Sequence, residues 1–309
     1  MVEVVVSIAL LALLFSLVLP AVARARRTAD RLNCQNHMRQ LGLACQNYLE
    51  VWSVFPRPSL IRDDRTFDAL LPMLELPPLT VRKRADRDLA VFTCPSDPDT
   101  GPRDGYLNMR WNDGVGTVGS LAGISNYSKD RPVGASSLVR PVDIIDGLSS
   151  TALLSERLLL FPRRIAGHDR PSTTIDTTRE PLRFLWYLDR KYDVLDEFEA
   201  FLDGCRDSRV GATPHPFVRS GRGRWETPAQ YDHALPPNSP GCLTGDRPQT
   251  ELEYIQFMIR AVRPASSLHD GGVNAAICDG SVRFVSQSID RDVWQAVGTR
   301  AGQEMKSLQ

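Results

Sequence analysis

The sequence is short of the usual signs of chemistry. Its six cysteines (Cys34, Cys45, Cys94, Cys205, Cys242, Cys278) are too scattered for a disulfide scaffold, and no C-x-x-C is present to make a zinc ribbon or a thioredoxin-like motif. No nucleophile elbow, H-E-x-x-H pair or P-loop occurs, and the glycine-rich stretch from Gly114 to Gly123 lacks the G-x-G-x-x-G spacing that cradles phosphates. We therefore expect a non-enzymatic protein with no cofactor, no metal and no catalytic residue. Excess charge is also lacking: Lys plus Arg total 37 and Asp plus Glu total 37. A chain without a basic excess has no electrostatic footprint for a nucleic-acid partner, and none is expected.

What the sequence does have is one long apolar run. Met1 to Ala23 is apolar except for Glu3, Ser7, Ser16 and Pro20, and about 20 apolar residues suffice to cross a bilayer core as a helix. A secretory signal peptide would need basic residues before the run and a cleavage site after it. Nothing basic precedes this one. Ala21-Val22-Ala23 keeps cleavage open, but Arg24, Arg26 and Arg27 follow at once. No turn signal stops the chain between Val4 and about Trp52, so a single helix can leave the membrane and continue in water. The expected divisions are a transmembrane segment over 1–23, an amphipathic continuation over 24–54 and an extracytoplasmic α+β domain over 55–309.

The continuation carries its own pattern. Cys34, Met38, Leu41, Cys45, Tyr48, Leu49 and Trp52 share one helical stripe, opposite Asn36, Arg39, Gln40, Gln46 and Asn47. Such a stripe packs a helix onto the domain that follows it. Cys34 and Cys45 lie about 16 Å apart along the axis, so they cannot bond each other. Both are read as small core residues. Phe55-Pro56 closes the helix, because proline disfavours helical geometry in the residue before it.

A glutamate opening an apolar helix, a proline near its far end and an amphipathic extension resemble the N-terminus of type IV pilins and pseudopilins. In that family the peptidase site reads G-F-T-L-V/I-E, and Met1-Val2-Glu3 aligns with its last three residues. The resemblance implies that codons for a basic leader ending in Gly-Phe-Thr lie upstream of Met1. Translation from Met1 would instead leave a permanently anchored protein. The resemblance also implies that Glu3 meets the N-terminal amine of a neighbouring subunit. Counted by the positive-inside rule, the arginines after the run would be cytoplasmic; the resemblance implies the opposite side.

Further along, a short amphipathic piece is expected from Phe67 to Leu74, a strand end at Phe92 to Cys94, a strand over Ala152 to Leu154 and one amphipathic helix from Phe184 to Phe201. A long irregular connection, held extended by its prolines, runs from His233 to Cys242. Cys205 and Cys242 flank the segment with fewest periodic apolar residues, so they are the expected disulfide. Closing their loop of about 37 residues would stabilise the fold by a few kcal/mol in the chain-entropy view. Cys94 and Cys278 are expected to be free. Val273 to Cys278 and Ser281 to Val285 flank Asp279-Gly280, a two-residue hairpin signal. That turn would place Ile277 opposite Val282 and Ala275 opposite Phe284, with those four and Val273 on the covered side.

Taken together, Cys34-Gln35-Asn36, Leu41-Gly42-Leu43, Cys94-Pro95-Ser96-Asp97, Pro237-Asn238-Ser239 and the C-terminal motifs resemble one pilin-like family of unknown function, abundant in planctomycete bacteria. Its signature S-x-H-x-G-G-x-N then D-G-S-V-R-F stands here as His269, Gly271, Gly272 and Asn274, followed by Asp279 and Gly280. The resemblance implies a long N-terminal helix packed on a mostly antiparallel sheet, with an irregular insertion. It also implies anchoring in the cytoplasmic membrane with the domain outside, as in type II secretion pseudopilins. Expected partners are the bilayer and other pilin-like subunits or further copies of the chain. The alternative is a membrane-tethered module that binds glycans or solutes and never polymerises.

Overall fold

The computed structural model describes residues 2–56, 67–76, 90–97, 107–115, 123–124, 138–158, 182, 185–188, 190–193, 196–206, 213–214, 230–245 and 261–302. Helix α1 runs unbroken from Val2 to Trp52 through Pro20. Its 51 residues give a rod about 76 Å long. The helix stops where Ser53 adopts a left-handed φ of 56°. Phe55 then donates its backbone N–H to the Val139 carbonyl and ties the chain to the domain.

The rod has two unlike halves. From Val2 to Val22 the large apolar side chains are exposed, Leu17 at 65% and Leu19 at 65%. From Cys34 onward one stripe is buried: Cys34, Met38, Leu41, Gly42, Ala44, Cys45 and Leu49. Tyr48 is partly buried, and Trp52, expected on the stripe, points outward at 60% exposure.

The stripe docks on a five-stranded sheet ordered β5-β1-β2-β8-β9. Its strands are β1 (Met109–Asn112), β2 (Ala152–Glu156), β5 (Gln230–Tyr231), β8 (Gly272–Ile277) and β9 (Val282–Ser286). Beneath the helix, Phe67 stacks on Trp111 at 5.3 Å and tilts against Phe92 at 4.7 Å. A second sheet, β4-β3-β6-β7, is built from Thr213–Pro214, Leu185–Tyr187, Gly241–Leu243 and Ala261–Val262. Helix α2 (Phe198–Arg206) covers it through Phe201, Leu202 and Cys205. Helix α3 (Arg291–Gly298) is capped by Asp290, whose Oδ1 accepts from the N–H groups of Asp292 and Val293. It lays Trp294 against Tyr231, Val273, Ala275 and Val285 on the face of the first sheet away from α1.

The fold is thus α+β, with mixed sheets. Strand pairs β1–β2, β2–β8, β8–β9, β3–β4 and β6–β7 are antiparallel, and β1–β5 and β3–β6 are parallel. The sheets are stitched by a buried ionic knot. Arg263, just after β7, reaches Asp113 after β1 at 2.8 Å, and its backbone N–H donates to the Asp232 carboxylate after β5. Burial raises the Asp232 carboxyl to about 6, with Arg263 opposing the rise. Neighbouring Arg157 is lowered to about 9, again chiefly by burial.

Several local expectations are corrected. Asp279-Gly280 does not form a two-residue turn: Gly280 N–H donates to the Ile277 carbonyl and Ile277 N–H to the Ser281 carbonyl. With Gly280 at φ 86°, this is a three-residue loop of turn-plus-bulge type. The extra residue shifts the register by one, so Ala276 faces Val282 and Asn274 faces Phe284. Because β8 is covered on both faces, period-two alternation could not reveal the shift; all six of its residues are buried, Asn274 included. The expected helix over 184–201 is instead strand β3 and then α2, which starts at Phe198. Phe67–Leu74 forms two 3-10 turns, and Phe92 ends a third rather than a strand. Residues 116–122 of the glycine-rich stretch lie outside the described residues.

Gly42 brings the helix backbone close against the hairpin, since a Cβ there would stand 3.2 Å from the Gly280 carbonyl oxygen. Gln46 seals the same contact by donating to the Cys278 carbonyl at 2.8 Å. Gly42→Leu should therefore push the hairpin off the helix and lower stability by about 1–3 kcal/mol. Thermal unfolding of the purified chain in detergent checks this; an unchanged midpoint would place the contact elsewhere.

Candidate functional site

Two places hold the residues that the sequence singles out. The first is the free end of α1. Glu3 sits in the first turn of the helix, exposed, and its carbonyl accepts from Ser7 Oγ at 2.8 Å. Helix rise puts it about 46 Å from Cys34, so it touches nothing in the domain. The apolar stretch behind it is long and apolar enough to cross a membrane, and none of it is buried among the described residues.

The second lies where α1 first meets the sheet. His269 is presented by a tightly wired loop. Ser267 Oγ donates to the Gly272 carbonyl at 2.7 Å and accepts from His269 N–H at 3.1 Å. Asn238, left-handed at φ 60°, accepts the Ser267 N–H with its side-chain oxygen. Gly271 is left-handed at φ 86°, which favours glycine. Gly272 is required for a different reason: a Cβ there would collide with the Val285 carbonyl.

The loop turns the imidazole inward. His269 Nδ1 lies 3.2 Å from Ser96 Oγ, and Nε2 lies 3.4 Å from Cys94 Sγ and 3.3 Å from Glu156 Oε2. Glu156, the last residue of β2, is held by Asn274 of β8, which donates to its Oε1. No hydrogen bond of acceptable angle reaches Glu156 Oε2 among the described residues. Cys94 is fixed by Asn108, whose side-chain oxygen accepts the Cys94 N–H at 2.9 Å while its amide donates to Asp97. Cys94 is also bonded to Cys34 of α1, with Cα atoms 5.2 Å apart. Cys34, Cys94, Glu156 and His269 are all buried, and their ligand-type atoms lie within 4.8 Å of one another.

Cys94 is therefore not a free thiol, and Cys34 is not merely a small core residue. Neither pairs locally, and the bond closes a separation of 60 residues that periodicity cannot report. In the second sheet Cys205 of α2 and Cys242 of β6 are bonded, Cα atoms 5.5 Å apart. Cys45 and Cys278 are the free thiols among the described residues, and burial raises both well above the ordinary thiol range.

Residues 23–292 match a family described as proteins of unknown function (DUF1559). The chain belongs to this family. The match begins where the apolar run ends and takes in the docked half of α1 and the domain as far as α3. No curated protein and no solved structure matches the chain.

The signature residues fall into two groups in the structure. His269 touches Cys94, Gly271 and Gly272 shape the chain just after it, and Asn274 holds Glu156. Asp279 and Gly280 sit at the other end of the hairpin, where Asp279 Oδ1 accepts the Ser281 N–H and Gly280 packs on Gln46. Glu156 escaped the reading of the sequence. Its signal was a charged residue closing the otherwise uncharged strand Ala152–Ser155. His233, the other buried histidine among the described residues, has both ring nitrogens engaged, by the Trp294 carbonyl and Tyr231 Oη. Burial lowers its pKa to about 3, which keeps it neutral.

Asn274→Leu removes the donor to Glu156 while keeping the volume of the side chain. It should cost about 1–3 kcal/mol, the penalty for stranding a buried polar atom. Glu156→Met added to it should recover most of that loss, measured by urea unfolding of the oxidised chain. Additive losses would show that the two side chains do not depend on each other.

Proposed function

We propose that the chain is a non-enzymatic, pseudopilin-like envelope protein of the cytoplasmic membrane, assembling through the first half of α1 and presenting residues 55–309 outside the cell membrane. The observation that carries this reading is the uncovered apolar end of α1, which continues without a break into a half docked on a β-sheet domain. A signal peptide has no need to share one rigid helix with the domain it delivers. Two disulfides support the extracytoplasmic side, since such bonds persist in oxidising compartments.

Assembly would bring the exposed apolar faces of several helices together in the bilayer. Glu3 would then meet a cation, the N-terminal amine of a neighbour being the fitting one. A charge pair out of water matters far more than one at a surface, because losing one partner strands the other.

Glu3→Ala should leave membrane insertion intact, as it only makes the segment more apolar, and should leave the distant domain folded. Self-association in membranes, or association with pilin-like partners, should fall by about 10-fold or more, the change that 1.4 kcal/mol sets. Crosslinking in the membranes of cells that express the protein reads this. Unchanged crosslinking would refute assembly through Glu3 and favour a tethered module that binds glycans or solutes as a monomer.

A further inference from the structure

The buried cluster at the helix–sheet junction has features that a structural disulfide does not require. A bond between Cys34 and Cys94 alone would be served by apolar surroundings. Here it is faced by an imidazole and a carboxylate, each with a side-chain partner behind it. We propose that Cys34, Cys94, His269 and Glu156 form a zinc site that opens when the Cys34–Cys94 disulfide is reduced.

Donor type, spacing and support agree with this. Two thiolates, one imidazole and one carboxylate are a tetrahedral zinc set, with ligands about 2.0–2.3 Å from the ion. Two such ligands at a tetrahedral angle stand about 3.3–3.8 Å apart. His269 Nε2 is 3.3 Å from Glu156 Oε2 and 3.4 Å from Cys94 Sγ. Metal-bound histidines donate their other ring N–H to a fixed acceptor, and bound carboxylates are themselves hydrogen-bonded. Ser96 Oγ stands 3.2 Å from His269 Nδ1, and Asn274 holds Glu156 Oε1. That leaves Nε2 and Oε2 as the inward pair. Glu156 Oε2 is one of two buried side-chain oxygens, with Asn274 Oδ1, that accept no hydrogen bond among the described residues; it faces His269 Nε2 at 3.3 Å, and a cation between them would satisfy it. Access is short, because Leu268 and Asp270 on either side of His269 are exposed.

The chemistry balances with a dithiol as reductant. It gives two electrons and two protons to the S–S bond and becomes a disulfide, leaving two thiols on Cys34 and Cys94. Zn²⁺ then displaces both thiol protons to solvent and binds the thiolates, His269 Nε2 and Glu156 Oε2. The disulfide form of that reductant reverses the step: it takes two electrons from the Cys34 and Cys94 thiolates and two protons from solvent to become the dithiol again, the S–S bond re-forms and Zn²⁺ is released, so the site couples metal occupancy to thiol redox state at the point where α1 is clamped to the sheet.

The test uses the full chain in detergent, reduced anaerobically with a phosphine, which competes weakly for metal, and titrated with Co²⁺ as a spectroscopic stand-in for zinc. The expected result is a thiolate-to-cobalt charge-transfer band with the intense visible bands of a tetrahedral site, both missing from the oxidised chain. Cys34→Ser should abolish the charge transfer or halve it, and His269→Ala should weaken binding by about 100-fold. Should a variant not fold, wild-type protein decides: Zn²⁺ should protect Cys34 and Cys94, but not Cys205 and Cys242, from alkylation in the reduced chain. No charge-transfer band, unchanged affinity in folded His269→Ala, or protection confined to other cysteines would overturn the proposal.

Discussion

A helix of this length must satisfy two solvents at once, and the structure depends on where it changes from one to the other. Over its first half the side chains match hydrocarbon and have nothing from the chain against them. Over its second half a narrow stripe is buried on the sheet and the opposite face is mostly polar, with Leu32 and Leu43 exposed on it. The change occurs in the arginine-rich turns between. There Arg31 lies over the Phe284 ring at 4.8 Å, and Arg27 meets Asp270 at 3.5 Å with both side chains exposed. Exposed pairs of that kind contribute little. The firm attachment begins one turn later, at Cys34.

The Cys34–Cys94 bond stands at the first buried position of α1, and the Gly42–Gly280 approach with the Gln46 hydrogen bond follows two to three turns further on. Between these points Met38, Leu41 and Cys45 rest on the aromatic cluster of Phe67, Phe92 and Trp111. Held at both ends, the docked half cannot slide or rotate without breaking a covalent bond or separating two glycine backbones. Any force or association at the membrane end is therefore delivered to the loop of Cys94 and to the β8–β9 hairpin. The signature residues serve this arrangement: one group shapes the His269 loop beside the disulfide, and the other shapes the hairpin tip under Gly42.

Legibility in the sequence followed the range of the interactions. The helix, its two-part character and its buried stripe were readable because 3.6-residue periodicity is local, and Ala152–Leu154 was readable as a strand. The hairpin was found but its register was missed, since a strand covered on both faces carries no alternation to fix it. Phe184 to Phe201 misled for a related reason: aromatic and leucine residues spaced by three and four fit a helix and a covered strand equally well. The cluster around His269 was only half visible. His269 and Asn274 stood in one motif and Cys34 and Cys94 in two others, whereas Glu156 stood in none, and only tertiary packing brings them together. No spacing rule connects residues 34, 94, 156 and 269.

The most direct test of the two-solvent helix is a nitroxide scan along α1, residues 5 to 31, with the full chain in lipid bilayers and oxygen and a polar nickel complex as competing relaxants. The account predicts that labels from Val5 to Leu19 are reached by oxygen and shielded from nickel, with the preference reversing by Arg27. A stretch from 5 to 19 as accessible to nickel as Arg27 would contradict it, because the apolar half would then lie in water and the helix would have one solvent rather than two.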